Sequence, residues 1–131
     1  MQFSGSESEL VAMFKHAYSG LLIINGLIES VAAVTLILGP GGIHDIGAGG
    51  QWSMHYGFAV IAIASLGLWL WPYRTNFAVC SVALGFLTLF HFSLMVSLAL
   101  AGDQPGGLVT HGVIAIWSGV LFAFRGRWCD G

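Results

Sequence analysis

Apolar residues run almost unbroken through four stretches, Phe14 to Leu38, Ser53 to Trp71, Phe77 to Leu100 and Leu108 to Phe124. None has the broad polar face that a surface helix of a soluble domain turns to water. At 1.5 Å of rise per residue, about 20 residues cross a hydrocarbon core of ~30 Å, so each stretch is long enough to span once. Turn chemistry separates them: Gly39-Pro40-Gly41-Gly42, Pro72-Tyr73-Arg74-Thr75-Asn76, and Gly102-Asp103-Gln104-Pro105-Gly106-Gly107. Short connections make neighbouring helices antiparallel. The pattern therefore predicts an all-α transmembrane four-helix bundle, forming one integral membrane domain over residues 1–131.

Composition points the same way. With 56% of its 131 residues hydrophobic and 8% charged, the chain has more apolar surface than a small soluble core hides, as in a multi-pass membrane protein. Met1 to Leu10 is polar and acidic, so no cleaved signal peptide is expected. A formal charge of −2 without a basic cluster offers phosphate backbones nothing, and nucleic acid is not an expected partner.

The basic residues also set an orientation. Lys15, Arg74, Arg125 and Arg127 all fall at one membrane face, which the positive-inside rule makes cytoplasmic, with both termini inside. His44, Asp45 and Asp103 fall on the opposite face. The expected location is the plasma membrane, crossed several times. Cys80 and Cys129 then lie on the reducing side as free thiols. Trp52, Tyr56, Trp69, Trp71, Tyr73 and Trp128 read as belts at the headgroups. Gly20, Gly26, Gly57, Gly67, Gly85, Gly112 and Gly119 read as points of close helix approach.

Glu29, His55, His91 and His111 each lie in one of the four apolar stretches. Such groups are costly in lipid and tend to mark function. Counting helical rise from the outer loops puts Glu29 and His91 roughly 15 Å deep and His55 and His111 roughly 5 Å deep. Asn25 lies one turn from Glu29, while Thr88 and Met95 flank His91 at i−3 and i+4. The inner half is apolar apart from Ser65, Ser81 and Ser118. A polar pocket open outward and sealed inward is expected, with all three histidines facing into the bundle.

Several chemistries suit this set. Three imidazoles and a carboxylate match the ligands of zinc, copper or non-haem iron, so Glu29, His55, His91 and His111 are all candidate metal ligands. His55 and His111, at one level, are candidate cofactor ligands for a b-type haem. Glu29 and His91 are the candidate catalytic pair, passing protons during quinone or substrate redox chemistry. Each residue also has a plainer role as a hydrogen-bonding link between helices. No nucleophile elbow, phosphate loop or dinucleotide fingerprint is present.

Some features run through most of the chain: the opening helix with Gly20-Leu21-Leu22-Ile23-Ile24-Asn25-Gly26, and a Leu- and Phe-rich third helix with an outer histidine. Gly106-Gly107 then precedes the apolar fourth helix and the tail Arg125-Gly126-Arg127-Trp128-Cys129-Asp130. In these the chain resembles the DoxX-like group of small four-helix integral membrane proteins. It departs from them early in the first helix, where Lys15-His16 replaces the usual arginine. The resemblance implies a bacterial inner-membrane protein associated with redox chemistry, either quinone-linked sulfur oxidation or an oxidative-stress complex. It assigns no catalytic residue. The expected function is thus a redox-associated component binding a metal ion, haem or quinone through its Glu/His pocket. The alternative is a non-catalytic subunit of a larger membrane complex. A transporter is the weaker third reading, since no inverted repeat is visible. Expected partners are membrane lipids and either a second copy or a membrane complex.

Overall fold

The computed structural model describes residues 5–46 and 52–130, and its regular structure there is helical. Four long helices form: α1 over Gly5–Leu38, α2 over Trp52–Leu70, α3 over Phe77–Ala101 and α4 over Pro105–Phe124. All four are long and apolar enough to cross a membrane. The expected segments are present, and two of them, α1 and α4, start several residues earlier than expected. Helix α1 begins nine residues early, because Ser6 to Glu9 extend it as an exposed polar turn with Glu7 at the positive end of the helix dipole. Helix α4 begins at Pro105 instead of Leu108, since proline suits the first helical turn, where its missing N–H costs no hydrogen bond.

The remaining boundaries follow local chemistry. Asn76 caps α3 by accepting the Val79 N–H at 3.0 Å. Gly102, at φ +73°, closes α3 in the left-handed conformation and donates its N–H to Leu98. Pro72 ends α2 within a 3₁₀ turn over Trp71–Tyr73.

Two compact units partition the chain. In the unit of residues 22–69, the second half of α1 packs on α2. A Cβ on Gly57 would sit 3.0 Å from the Leu36 Cβ and 3.2 Å from the Ala33 carbonyl oxygen, and one on Gly67 would sit 3.2 Å from the Leu22 carbonyl oxygen. Small residues bring these backbones together, as expected of helices associating in lipid. Asn25 Nδ2 donates to the Ile63 carbonyl at 3.2 Å and Ser53 Oγ to the Leu36 carbonyl at 3.1 Å, both between α1 and α2.

In the unit of residues 1–21 and 70–131, the α3–α4 hairpin is the centre. Its buried apolar side chains are Ala83, Leu84, Leu87, Ile114, Ala115 and Leu121. By contrast, Val82, Leu89, Leu100 and Ile116 are exposed, as on a surface that meets lipid and not water. Thr88 Oγ1 donates to Ser118 Oγ at 3.0 Å, and Ser118 in turn donates to the Ile114 carbonyl at 2.8 Å.

The C-terminal tail corrects one expectation. Trp128 is not a belt residue: it is the largest fully buried side chain, 1% exposed, with its ring 5.3 Å from that of Tyr18. The tail is folded back by backbone bonds, Asp130 N–H to Thr75 at 2.6 Å and Phe77 N–H to Asp130 at 2.9 Å, and these draw the indole inward. Trp52, Trp69, Trp71 and Tyr73 are exposed, in keeping with the belt reading. Lys15 reaches Asp130 at 3.2 Å, an exposed pair that contributes little by itself. A hydrogen bond from Thr75, and then the Lys15 ammonium, hold the Asp130 carboxyl below the usual carboxylate range. That contribution is present above about pH 4 and lost as pH falls through the lowered folded value.

The tail thus depends on Trp128 more than on its ion pair. Trp128→Ala should destabilise the chain by about 3–5 kcal/mol through the cavity left against Tyr18. Reversible unfolding in mixed detergent micelles measures this. A loss under about 1 kcal/mol would mean that the indole is not packed as described.

Candidate functional site

The α3–α4 seam brings two of the four ionisable candidates together. Gly85 faces Phe122, Thr88 faces Gly119, Met95 faces Gly112 and Leu98 faces Gly107, an antiparallel register of large against small. Ala115, small and buried, lies on α4 between Gly112 and Gly119. His91 is wholly buried, His111 is half-buried, and their Nδ1 atoms are 2.8 Å apart with ring centroids at 5.1 Å and planes 27° from parallel. Phe90 presents its ring edge-on to His91 at 5.1 Å.

Pairing His91 with His111 differs from the layers expected from helical rise, which set them roughly 10 Å apart. The start of α4 accounts for much of this. Because the helix opens at Pro105 and not Leu108, His111 lies about 4–5 Å further from the turn, and two long side chains close the rest. Proline followed by two glycines after a turn was the available signal for the early start.

The chemistry of the pair follows from its spacing. A separation of 2.8 Å is a hydrogen bond, so one Nδ1 carries the proton and the other offers its lone pair. At most one of the two rings is therefore cationic. In the neutral pair the tautomers are opposite: the donor has its lone pair on Nε2, and the acceptor has its proton there.

The other candidates fall in the unit of residues 22–69. Glu29 is buried there, 1% exposed, one turn from the buried Asn25, as their spacing requires. Tyr56 of the same unit lies within electrostatic reach of its carboxyl group. His55 is exposed in the first turn of α2, with its ring edge-on to Trp52 at 6.5 Å, so the expectation that it points inward is corrected. Its place at the helix start, beside an exposed indole, gives it an outward alternative to burial. An exposed His55, and a His111 already bonded to His91, give the two-histidine haem reading no support.

The sequence reading did not find the thiol cluster. Cys80 is buried and donates to the Arg74 carbonyl at 3.3 Å, and the Cys129 thiol stands within hydrogen-bonding reach of the Cys80 sulfur. Both are free thiols. Burial, reinforced by Cys80, pushes the Cys129 thiol up to about 12, so it is protonated at neutral pH. Nothing in the sequence joins residues 80 and 129; only the folded-back tail does.

No family model, curated protein or solved structure matches this chain.

The shared Nδ1 proton can be observed directly. ¹⁵N NMR of the histidine rings in metal-free protein at neutral pH should show His91 and His111 as opposite tautomers. Two rings of the same tautomer would contradict the hydrogen bond.

Proposed function

We propose that this chain is a plasma-membrane protein of the bacterial inner-membrane type, a four-helix bundle with both termini cytoplasmic. In this reading it binds a transition-metal ion through His91 and His111 as a redox-associated component. The observation that carries it is the facing pair of Nδ1 atoms at 2.8 Å. Metal–imidazole bonds of ~2.0 Å at a tetrahedral angle place two nitrogens about 3.3 Å apart, so the rings need part by only about half an ångström. The shared proton then moves to Nε2, leaving both lone pairs on the metal. Two imidazoles suit zinc, copper, iron or nickel and are poor ligands for magnesium or calcium.

Glu29 enters this proposal from the sequence, as a carboxylate at the predicted depth of His91, and its burial supports a role beyond solvation. By its chemistry it is a group that accepts protons during a redox step. The DoxX-like resemblance, with its quinone-linked and oxidative-stress associations, supports the redox assignment.

A second reading, a non-catalytic subunit of a larger membrane complex, has an observation of its own. The Thr88–Ser118 bond joins α3 to α4 and needs no chemistry, and His91–His111 can be a second bond of that kind. Metal content separates the readings. Full-length protein purified without chelator and dialysed against zinc or copper(II) should hold stoichiometric metal. His91→Gln and His111→Gln should lose it while keeping their helix content. Wild-type protein that takes up no metal, together with histidine variants that only melt lower and dissociate from a partner, would establish the subunit reading instead.

Orientation needs its own probe. Cys129 is unsuitable, because a thiol with its pKa near 12 labels poorly on either side of the membrane. Exposed positions serve better: in a background lacking Cys80 and Cys129, Asp103→Cys should react with an impermeant maleimide in intact cells, and Ser8→Cys only after permeabilisation. The reverse pattern would overturn the cytoplasmic placement of the termini.

A further inference from the structure

Beside the imidazole pair stands a ligand of different character. Met95 follows His91 by one helical turn on α3, so the two share a face. Its sulfur lies 3.3 Å from the point where a Cβ on Gly112 would be, and Gly112 adjoins His111 in sequence. The thioether thus occupies the space left free by the missing side chain of residue 112, next along the same α3–α4 seam. Methionine has three rotatable bonds, and small rotamer changes swing its sulfur without moving the backbone.

We propose that His91, His111 and Met95 form a copper(I) site, an inference that rests on the reading of the imidazole pair as a metal site. The donor set carries it. A thioether is a soft ligand that selects copper(I), contributes little to zinc, and does not suit magnesium, calcium or manganese. Two imidazoles and one thioether are all neutral, so a single positive charge is the smallest charge the site is asked to hold away from water. A divalent ion would leave twice that charge to be balanced, a task that calls for a carboxylate in the donor set. Gly112 is the accommodating element: any larger residue there would displace the sulfur from the seam.

Competition with bicinchoninate, a coloured copper(I) chelator, under ascorbate tests the proposal on full-length protein in detergent. Cys80 and Cys129 would bind copper(I) themselves, so both are first replaced by alanine and retained helix content is verified. In that background Met95→Leu, close to isosteric, should lower copper(I) affinity about tenfold or more while leaving zinc affinity within about twofold. His91→Gln should abolish both. If Met95→Leu leaves copper(I) affinity unchanged, or the parent binds zinc but not copper(I), the copper(I) assignment is overturned and the imidazole metal site stands. If the parent binds neither ion, the metal reading fails with it. A Met95→His variant separates lost ligation from lost packing: it should restore copper(I) binding and raise zinc affinity above that of the parent, and failure to do either counts against ligation at this position.

Discussion

Helices as apolar as α3 and α4 gain little in hydrocarbon by touching each other, since lipid tails are as apolar as leucine. Close backbone approach and hydrogen bonds across the seam must hold them. That constraint orders the hairpin: glycines at 85, 107, 112 and 119 each meet a larger side chain, and two interhelical polar contacts, Thr88–Ser118 and His91–His111, fall between them. The register that admits the imidazole pair is the one set by these small residues. A site in this seam therefore inherits its geometry from packing, and the histidines need no loop to position them.

The same constraint explains which features were legible in the sequence. Helix existence and length depend on long apolar runs and on breakers such as Pro72 and Gly102, and both are local. The glycines at 57 and 67 were readable because small residues in lipid-facing helices have few other uses. What escaped depended on contacts distant in sequence. Trp128 looks like a headgroup anchor until the tail folds back, through Asp130 and Thr75, to lay its indole on Tyr18. Cys80 and Cys129 are joined by that same fold. His55 was placed inward by depth alone, yet depth says nothing about which way a side chain at a helix start turns.

His91 and His111 are the instructive case. Counting rise from an assumed helix start carried an error of three residues at α4, enough to place the two rings in separate layers. An error of one turn is small for predicting a helix and decisive for predicting a site, because ligation and hydrogen bonding act over about 3 Å whereas one turn spans 5.4 Å. Glu29 shows the converse: its burial follows the sequence, since a lone carboxylate in an apolar run is poorly tolerated on a lipid face.

In the proposed site, proton and metal would compete for one position between the two Nδ1 atoms. Without metal, a single proton occupies that line and fixes opposite tautomers. With metal, the proton must pass to an outer Nε2, and both rings take the same form. Binding under that proposal would therefore be coupled to a tautomeric shift in one of the rings. Because both forms are neutral overall, the shift itself costs no charge separation in a region of low dielectric. A second metal charge, or an added proton, does demand compensation there. This gives the proposed division of labour its physical logic: a neutral imidazole–thioether set for the monovalent ion, and a carboxylate for any state with a further positive charge.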